Sequence, residues 1–458
     1  MPQVKHFFSR LRRLSGISWL LPLLFATLLF AAVGCEPQKA ARPPAVSSST
    51  PAPAVVAVAT PQPTATSTLL PTATTAATEE PHSSPTVFPS ATLTVGPTAT
   101  PSFPRYTGTP LQKDQLGIQV HIHQEDQRQI LRHLQELGVG WVKVQVSWKL
   151  YEPGPESYTA DRFAELDRLV EGATNNGIQV LLSVSKAPEW SRPTTELDGP
   201  PTDYDLYRRF MAYLAKRYQG RVAAYELWNE PNLQREWNGM PLNAADMVAL
   251  VAAGAAGVRE VDPMATIISG APATTGINDG FTAIDDRQYL RSMLDAGVAN
   301  SVNAIGVHPY GWANPPDSSY AHPDPEVPSH NNHPSFFFSD TLADYKALLT
   351  EYQADLPLWA TEFGWGSFEG LVNDRGEPAE PPAGAEFMLN VTEWEQAGYV
   401  LRAFELAGGD QAIGPLFLWN LNFGPLLGAD YSESGYSILR PDNSRRPAYL
   451  SLEAAKKT

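Results

Sequence analysis

From Leu116 to the C-terminus the chain repeats one alternation eight times: a short apolar run rich in β-branched residues, then a longer stretch with helical periodicity. The apolar runs cover 116–123, 141–148, 179–188, 222–231, 266–272, 302–310, 356–364 and 414–422. The helical segments between and after them lie near 124–137, 160–176, 203–219, 243–261, 286–297, 340–354, 393–408 and 445–456. Consecutive parallel strands cannot be joined by a hairpin and need a crossover, usually a helix, so this alternation predicts a parallel sheet with helices outside it. Capping residues such as Asp203 and Asn243 mark helix starts. Eight such units in about 350 residues match one architecture, so the expected fold is α/β, a (β/α)8 TIM barrel over residues 106–458.

The first hundred residues read differently. Lys5, Arg10, Arg12 and Arg13 precede the apolar run ISWLLPLLFATLLFAAVGC, the pattern of an export signal. Its AVGC ending resembles the lipobox of bacterial lipoproteins, which would make residues 1–35 a signal peptide and Cys35 the lipidated mature N-terminus. An uncleaved anchor is the alternative, since the run is near bilayer-spanning length. Residues 36–105 contain 14 Pro and 14 Thr, with much Ala and Ser between them. Such a segment cannot bury enough surface to offset its ordering entropy, and a disordered linker is expected. Extended at up to about 3.1 Å per residue, it would hold a domain on the order of 100–200 Å from a membrane. The expected location is therefore extracellular or at the cell surface, with the lipid anchor as the sole membrane contact. Cys35 is the only cysteine, which excludes an intramolecular disulfide. The formal net charge of −16 argues against a nucleic-acid partner, which would require a basic face.

In barrels of this kind the chemistry sits where the strands end, at their C-terminal side. The expected strand ends carry His121 and His123, Trp148, Lys186 and Trp190, Asn229 and Glu230, His308 and Tyr310, Glu362, and Trp419 and Asn420. A carboxylate at the end of a buried strand is costly unless it is paired or used. Here two of them, Glu230 and Glu362, end strands 4 and 7 and would face each other across the barrel mouth. Paired carboxylates beside aromatic rings suit glycosidic bond cleavage: one protonates the leaving oxygen, while the other attacks or stabilises the oxocarbenium-like centre. The blander alternative makes Glu230 a structural ion-pair partner of Lys143 or Lys186. Trp148, Trp190, Trp237, Trp312 and Trp365 are candidates for a cleft, whereas Trp141, Trp359 and Trp394 are expected to pack between barrel and helices. His322, His330 and His333 fall in a Pro/Asn-rich loop without metal-site spacing, and no metal or cofactor is expected.

The motifs LWNEPN and ATEFGW resemble those of glycoside hydrolase clan A, the retaining (β/α)8 enzymes with glutamates on strands 4 and 7, in particular family 39-like or family 5-like members. The resemblance implies Glu230 as acid/base, Glu362 as nucleophile, and Asn229 as a hydrogen-bond partner of the sugar 2-hydroxyl. It implies that Tyr310 contacts the nucleophile, that His308 lines the same subsite and that Trp419 forms the sugar floor. His123, Trp148, Trp190 and Lys143 complete the expected substrate-binding set. Lys143 stands where many relatives carry an arginine that holds the nucleophile. A negative Glu362 nearby is expected to raise the Glu230 pKa so that Glu230 carries a proton. The expected substrate is a β-linked glycan, cleaved with retention by a monomer. A catalytically silent carbohydrate-binding protein and a transglycosylase remain open on the same residues.

Overall fold

The computed structural model describes residues 108–458. The expected signal segment, Cys35 and the expected Pro/Thr-rich linker lie outside the described residues. Eight parallel strands are present: β1 (Leu116–Val120), β2 (Trp141–Ser147), β3 (Gln179–Ser185), β4 (Ala224–Leu227), β5 (Thr266–Ser269), β6 (Ile305–Val307), β7 (Leu358–Phe363) and β8 (Ile413–Leu418). They hydrogen-bond in the order β5-β4-β3-β2-β1-β8-β7-β6, and a parallel bridge between Ile268 and Ala304 brings β5 to β6. Each strand is followed by a helix: α1 (Gln127–Leu137), α2 (Ala160–Asn175), α3 (Tyr204–Tyr218), α4 (Ala244–Val261), α5 (Asp286–Asp295), α6 (Phe338–Glu351), α7 (Glu393–Gly408) and α8 (Pro447–Ala454). This is a (β/α)8 barrel. Among the described residues no helix is long and apolar enough to cross a membrane.

Several strands stop before the apolar runs do. The run 302–310 yields only Ile305–Val307 as strand, and 222–231 only Ala224–Leu227. The leftover residues form the first loop positions and carry the polar groups of the barrel mouth. The barrel interior is layered. Trp141, Leu181, Ala224, Ile268, Ala304, Trp359 and Phe417 form one apolar cluster. Trp141 and Trp359 meet there edge to face with ring centroids 5.1 Å apart. These two tryptophans therefore share a cluster with strand residues rather than filling the barrel–helix layer, which corrects the expectation. Trp394 is 41% exposed.

Two residues further along their strands stand Lys143, Ser183, Glu226 and Thr361, all fully buried, as the two-residue side-chain period of a strand requires. On β7 that period is broken. Ala360 pairs with Leu416 and Phe363 with Leu418, so three steps on β7 match two on β8. Such a bulge re-aims side chains. As a result Thr361 and Glu362, neighbours in sequence, both reach the buried polar layer.

Helices α3 and α4, which flank β4, are in close contact because α4 has glycines where they touch. A Cβ on Gly257 would lie 2.1 Å from the Arg208 backbone oxygen, and one on Gly254 would lie 2.7 Å from the Tyr207 ring. Gly257→Ala is expected to force the helices apart and lower stability by about 1–3 kcal/mol, the usual cost of overpacking. Gly398→Ala, on α7 with nothing within 4 Å, is the control and should be neutral or slightly stabilising. Chemical denaturation of both variants beside wild type checks this.

Candidate active site

Glu230 lies three residues beyond β4, and the backbone there is unusual. Trp228 has φ +79° and Glu230 φ +42°, both in the left-handed region that non-glycine residues avoid. Surrounding bonds hold the turn in place. Trp228 N donates to Val184 O and Glu230 N to Ala271 O, each at 3.0 Å, and the Trp228 indole donates to Glu236 O at 3.1 Å. The Glu230 carboxylate is 4% exposed. Its Oε2 accepts from Arg235 Nη2 at 2.6 Å, and its Oε1 lies 3.3 Å from His308 Nδ1.

Glu362, on β7, is 1% exposed. Lys143 Nζ donates to its Oε1 at 3.1 Å, and the Tyr310 hydroxyl donates to its Oε2 at 2.9 Å. Gln119, oriented by its neighbours, adds a third donor to Oε1 at 3.1 Å and accepts from the Trp419 indole at 3.1 Å. Glu362 is thereby fixed by donors from β1, β2 and the loop after β6.

Lys143 is wholly buried between two carboxylates, 3.1 Å from Glu226 Oε2 and 3.1 Å from Glu362 Oε1, and it also donates to Thr361 O at 2.9 Å. Burial works to lower its pKa, but Glu226 and Glu362 outweigh burial and raise it. Lys143 therefore positions Glu362 and has no surface to offer a sugar, which corrects its place in the substrate-binding set. The alternative that made Lys143 or Lys186 the ion-pair partner of Glu230 does not hold. Lys143 serves Glu226 and Glu362, Lys186 pairs with Asp198 at 3.1 Å, and the cation on Glu230 is Arg235.

One imidazole joins the two glutamates. His308 Nδ1 is 3.3 Å from Glu230 Oε1 and 4.0 Å from Glu362 Oε2, while Nε2 is 4.0 Å from Glu226 Oε1. The two carboxylate oxygens can be no further apart than the first two distances laid end to end. That bound holds for this one pair of oxygens and is compatible with the about 5–5.5 Å carboxyl separation of retaining glycosidases. Burial pushes the His308 pKa down, but Glu362 and Glu230 override it and raise it.

The Glu230 pKa runs against expectation. Burial raises it, but the hydrogen bond from His308 and the charge of Arg235 prevail and take it down to about 2. In this arrangement Glu230 is a carboxylate at neutral pH, because His308 and Arg235 together outweigh the cost of its burial.

The aromatic residues differ most from expectation. Trp148 and Trp237 are fully buried, Trp365 is 1% exposed, and Trp312 is 7% exposed and stacked on His330 at 4.4 Å. Trp148 packs on Phe210 at 5.1 Å and donates to Glu152, so it belongs to the core and not to a sugar site. Trp419 is 1% exposed, against Tyr310 and Tyr436, so it supports Gln119 and shows no open face for a sugar floor. His308 is likewise fully buried and meets the carboxylates rather than a subsite surface. Trp190 is half-buried and donates to Glu152 O at 2.9 Å. His123 is half-buried and 2.9 Å from Glu165, and His121 stacks on Phe423 at 5.4 Å, with its pKa lowered to about 4 chiefly by burial. Asn229 is 5% exposed, and its Oδ1 has no hydrogen-bond partner. Among the described residues no group of His, Cys, Asp and Glu is placed to hold a metal. Arg235, Gln119 and Glu226 were not predicted as partners of the glutamates. Only the carboxylate of Glu226 and its even spacing to Trp228 and Glu230 gave a signal.

The profile of the family Cellulase (glycosyl hydrolase family 5) matches residues 105–380, a span that includes both glutamates. The chain belongs to glycosyl hydrolase family 5, a family of O-glycosyl hydrolases. Among solved structures, this family 5 chain is similar to a family 39 glycoside hydrolase from Bacteroides cellulosilyticus WH2, with 22% identity and a TM-score of 0.55 over 75% of this chain and 64% of that one. It is also similar to a glucosidase from Croceicoccus marinus, with 17% identity and a TM-score of 0.52 over 76% of this chain and 68% of the other. For the exo-β-1,4-mannosidase Op5Man5 from Opitutaceae bacterium strain TAV5 the figures are 16%, 0.50, 77% and 62%. The chain thus spans about two thirds of these enzymes' lengths, and at such identities the likeness is one of fold. No curated protein matches the chain.

The Glu230 pKa has a consequence for stability. A carboxyl that titrates at 4.5 unfolded and about 2 folded contributes stability that is present above 4.5 and lost as the pH falls toward 2. Unfolding free energies of wild type should therefore fall more steeply between those limits than those of Glu230→Gln. Lys143→Met, which strands two buried carboxylates, should cost about 3–5 kcal/mol in chemical denaturation at neutral pH.

Proposed function

We propose that this protein hydrolyses a β-linked glycan with retention, Glu362 acting as nucleophile and Glu230 as general acid and base. The observation that carries the proposal is the pair of buried glutamates at the ends of β4 and β7, both within 4.0 Å of His308 Nδ1. Clan membership read from LWNEPN and ATEFGW, and the family 5 match, support the same reading.

In the first step Glu362 attacks the anomeric carbon while Glu230 protonates the departing oxygen, leaving a glycosyl–Glu362 ester. Tyr310, Lys143 and Gln119 hold the Glu362 carboxylate in the attacking orientation, and fixing a nucleophile in advance lowers the barrier by sparing entropy at the transition state. Forming the ester removes the Glu362 charge. In the second step Glu230 takes a proton from water, which attacks the ester from the side the leaving group vacated, so two inversions give net retention. The unpartnered Asn229 amide oxygen is suited to accept a hydrogen bond from the sugar 2-hydroxyl. Capture of the ester by a second sugar instead of water would make the same site a transglycosylase. In the tethered arrangement read from residues 1–105, the barrel would act on a glycan outside the cell.

The test is a panel of aryl β-glycosides and soluble β-glycans offered to the full chain, with anomeric configuration followed by NMR. Glu230→Gln and Glu362→Gln should each lower turnover by about 10³-fold or more, and the first-formed sugar should keep the β configuration. Tyr310→Phe, which removes one donor from Glu362, should lower kcat by about 10–100-fold with little change in thermal midpoint. Inverted product, or a chain that binds a glycan without cleaving it, would overturn the proposal.

A further inference from the structure

Arg235 sets a problem for the mechanism just described, and the inference drawn from it rests on Glu230 being the acid. A general acid must carry its proton on an oxygen turned toward the substrate. Here Oε2 of Glu230 is occupied by a guanidinium at 2.6 Å and Oε1 faces an imidazole at 3.3 Å. Protonation of Glu230 therefore requires Arg235 to leave.

The structure offers it a destination. The next residue, Glu236, is 7% exposed, and its Oε2 is buried without a hydrogen-bond partner. Buried carboxylate oxygens are normally satisfied, and one that is not costs free energy until a donor reaches it. The backbone of this segment is held at both ends: Gln234 N donates to Thr282 O at 3.0 Å, Glu236 N to Leu233 O at 3.1 Å, and the Trp228 indole to Glu236 O at 3.1 Å. With the backbone held, a transfer between the two carboxyls would proceed through the Arg235 side chain, on which the Glu236 charge already acts. That side chain is 27% exposed where Glu230 is 5%, so the arginine is the more open of the two.

We propose that Arg235 is a movable positioning residue that passes from Glu230 to Glu236 when a leaving-group sugar occupies the open side of the acid, which frees Glu230 to take up a proton. Glu230 takes up a proton from water as the guanidinium departs, and the guanidinium then sits against the Glu236 carboxyl. At rest Arg235 and His308 keep Glu230 ionised, while burial raises the Glu236 pKa against Lys186 and Arg235. The other charged groups facing this pair are Glu362, which acts on Arg235, and Asp198, which acts on Glu236. The arrangement makes protonation of Glu230 conditional on an occupied leaving-group subsite, and it favours extended glycans over short glycosides.

The experiment uses the full chain. Wild type, Arg235→Gln, Arg235→Lys and Glu236→Gln are compared on two β-glycosides of the sugar selected by the panel, one with a 2,4-dinitrophenyl leaving group and one with a sugar leaving group. Only the second needs a proton. The alkaline limb of kcat/KM on the sugar-leaving substrate should move up by about one pH unit or more in Arg235→Gln and stay near wild type in Arg235→Lys. Glu236→Gln should lower kcat on that substrate at least about tenfold more than on the dinitrophenyl glycoside. In parallel, 13C-glutamate difference spectra against Glu230→Gln report the Glu230 titration without any substrate, and Arg235→Gln should raise its midpoint. An unmoved midpoint and limb, with both substrates slowed equally, would overturn the proposal, as would a rise in KM alone. If instead Glu230→Gln slows both substrates equally, Glu230 is not the acid, and it is the catalytic reading that fails.

Discussion

The site depends on one buried cation. Lys143 has no solvent contact and sits between Glu226 and Glu362. Without it two carboxylates would share a closed layer of the barrel, which no packing could compensate. With it, the positions of β2, β4 and β7 are coupled, because the ammonium fixes a carboxylate from each of the other two strands. Thr361 adds a 2.6 Å bond to Glu226 and its own carbonyl to Lys143, closing the network across the interior. The apolar cluster on one side of this layer keeps water out, and the low polarity that results strengthens every charge interaction within it.

A second set of charges lies nearer the mouth. His308 and Arg235 hold Glu230, while Tyr310, Gln119 and Lys143 hold Glu362. The two glutamates thus sit in unlike surroundings, one facing an arginine and an imidazole and the other a lysine and neutral donors. Unlike surroundings are how one fold assigns different tasks to two identical side chains. The left-handed backbone at Trp228 and Glu230 belongs to this arrangement, since conformations of that cost persist only where the surroundings enforce them. The loops after β6, β7 and β8 pack on one another through Trp312, Phe336, Phe368, Phe387, Phe423 and Tyr436, forming an apolar layer of their own beside the site.

The barrel was legible because eight crossovers leave a periodic imprint: apolar strand, amphipathic helix, repeated without exception. The two glutamates were legible because a carboxylate beside Pro or Phe at the end of an apolar run has no cheap structural use. The tryptophans misled. Their number in the sequence suggested a sugar-lined cleft, yet Trp148, Trp237, Trp312 and Trp365 all close against neighbouring rings or backbone, and a burial preference looks the same in sequence whether the partner is a sugar or another side chain.

The sequence by itself determined the strand and helix count, the fold class, and which two carboxylates stand at the strand ends, since each of these follows from local periodicity. Only the tertiary structure decided the partners. Arg235 reaches Glu230 because a strained turn folds back on itself, Gln119 and Lys143 reach Glu362 because β1 and β2 lie near β7 in the closed barrel, and Thr361 and Glu362 both enter the interior because β7 slips against β8. Those contacts join residues up to about 240 positions apart, and they set the charge of each glutamate, which electrostatics assigns by distance in space and not by distance along the chain.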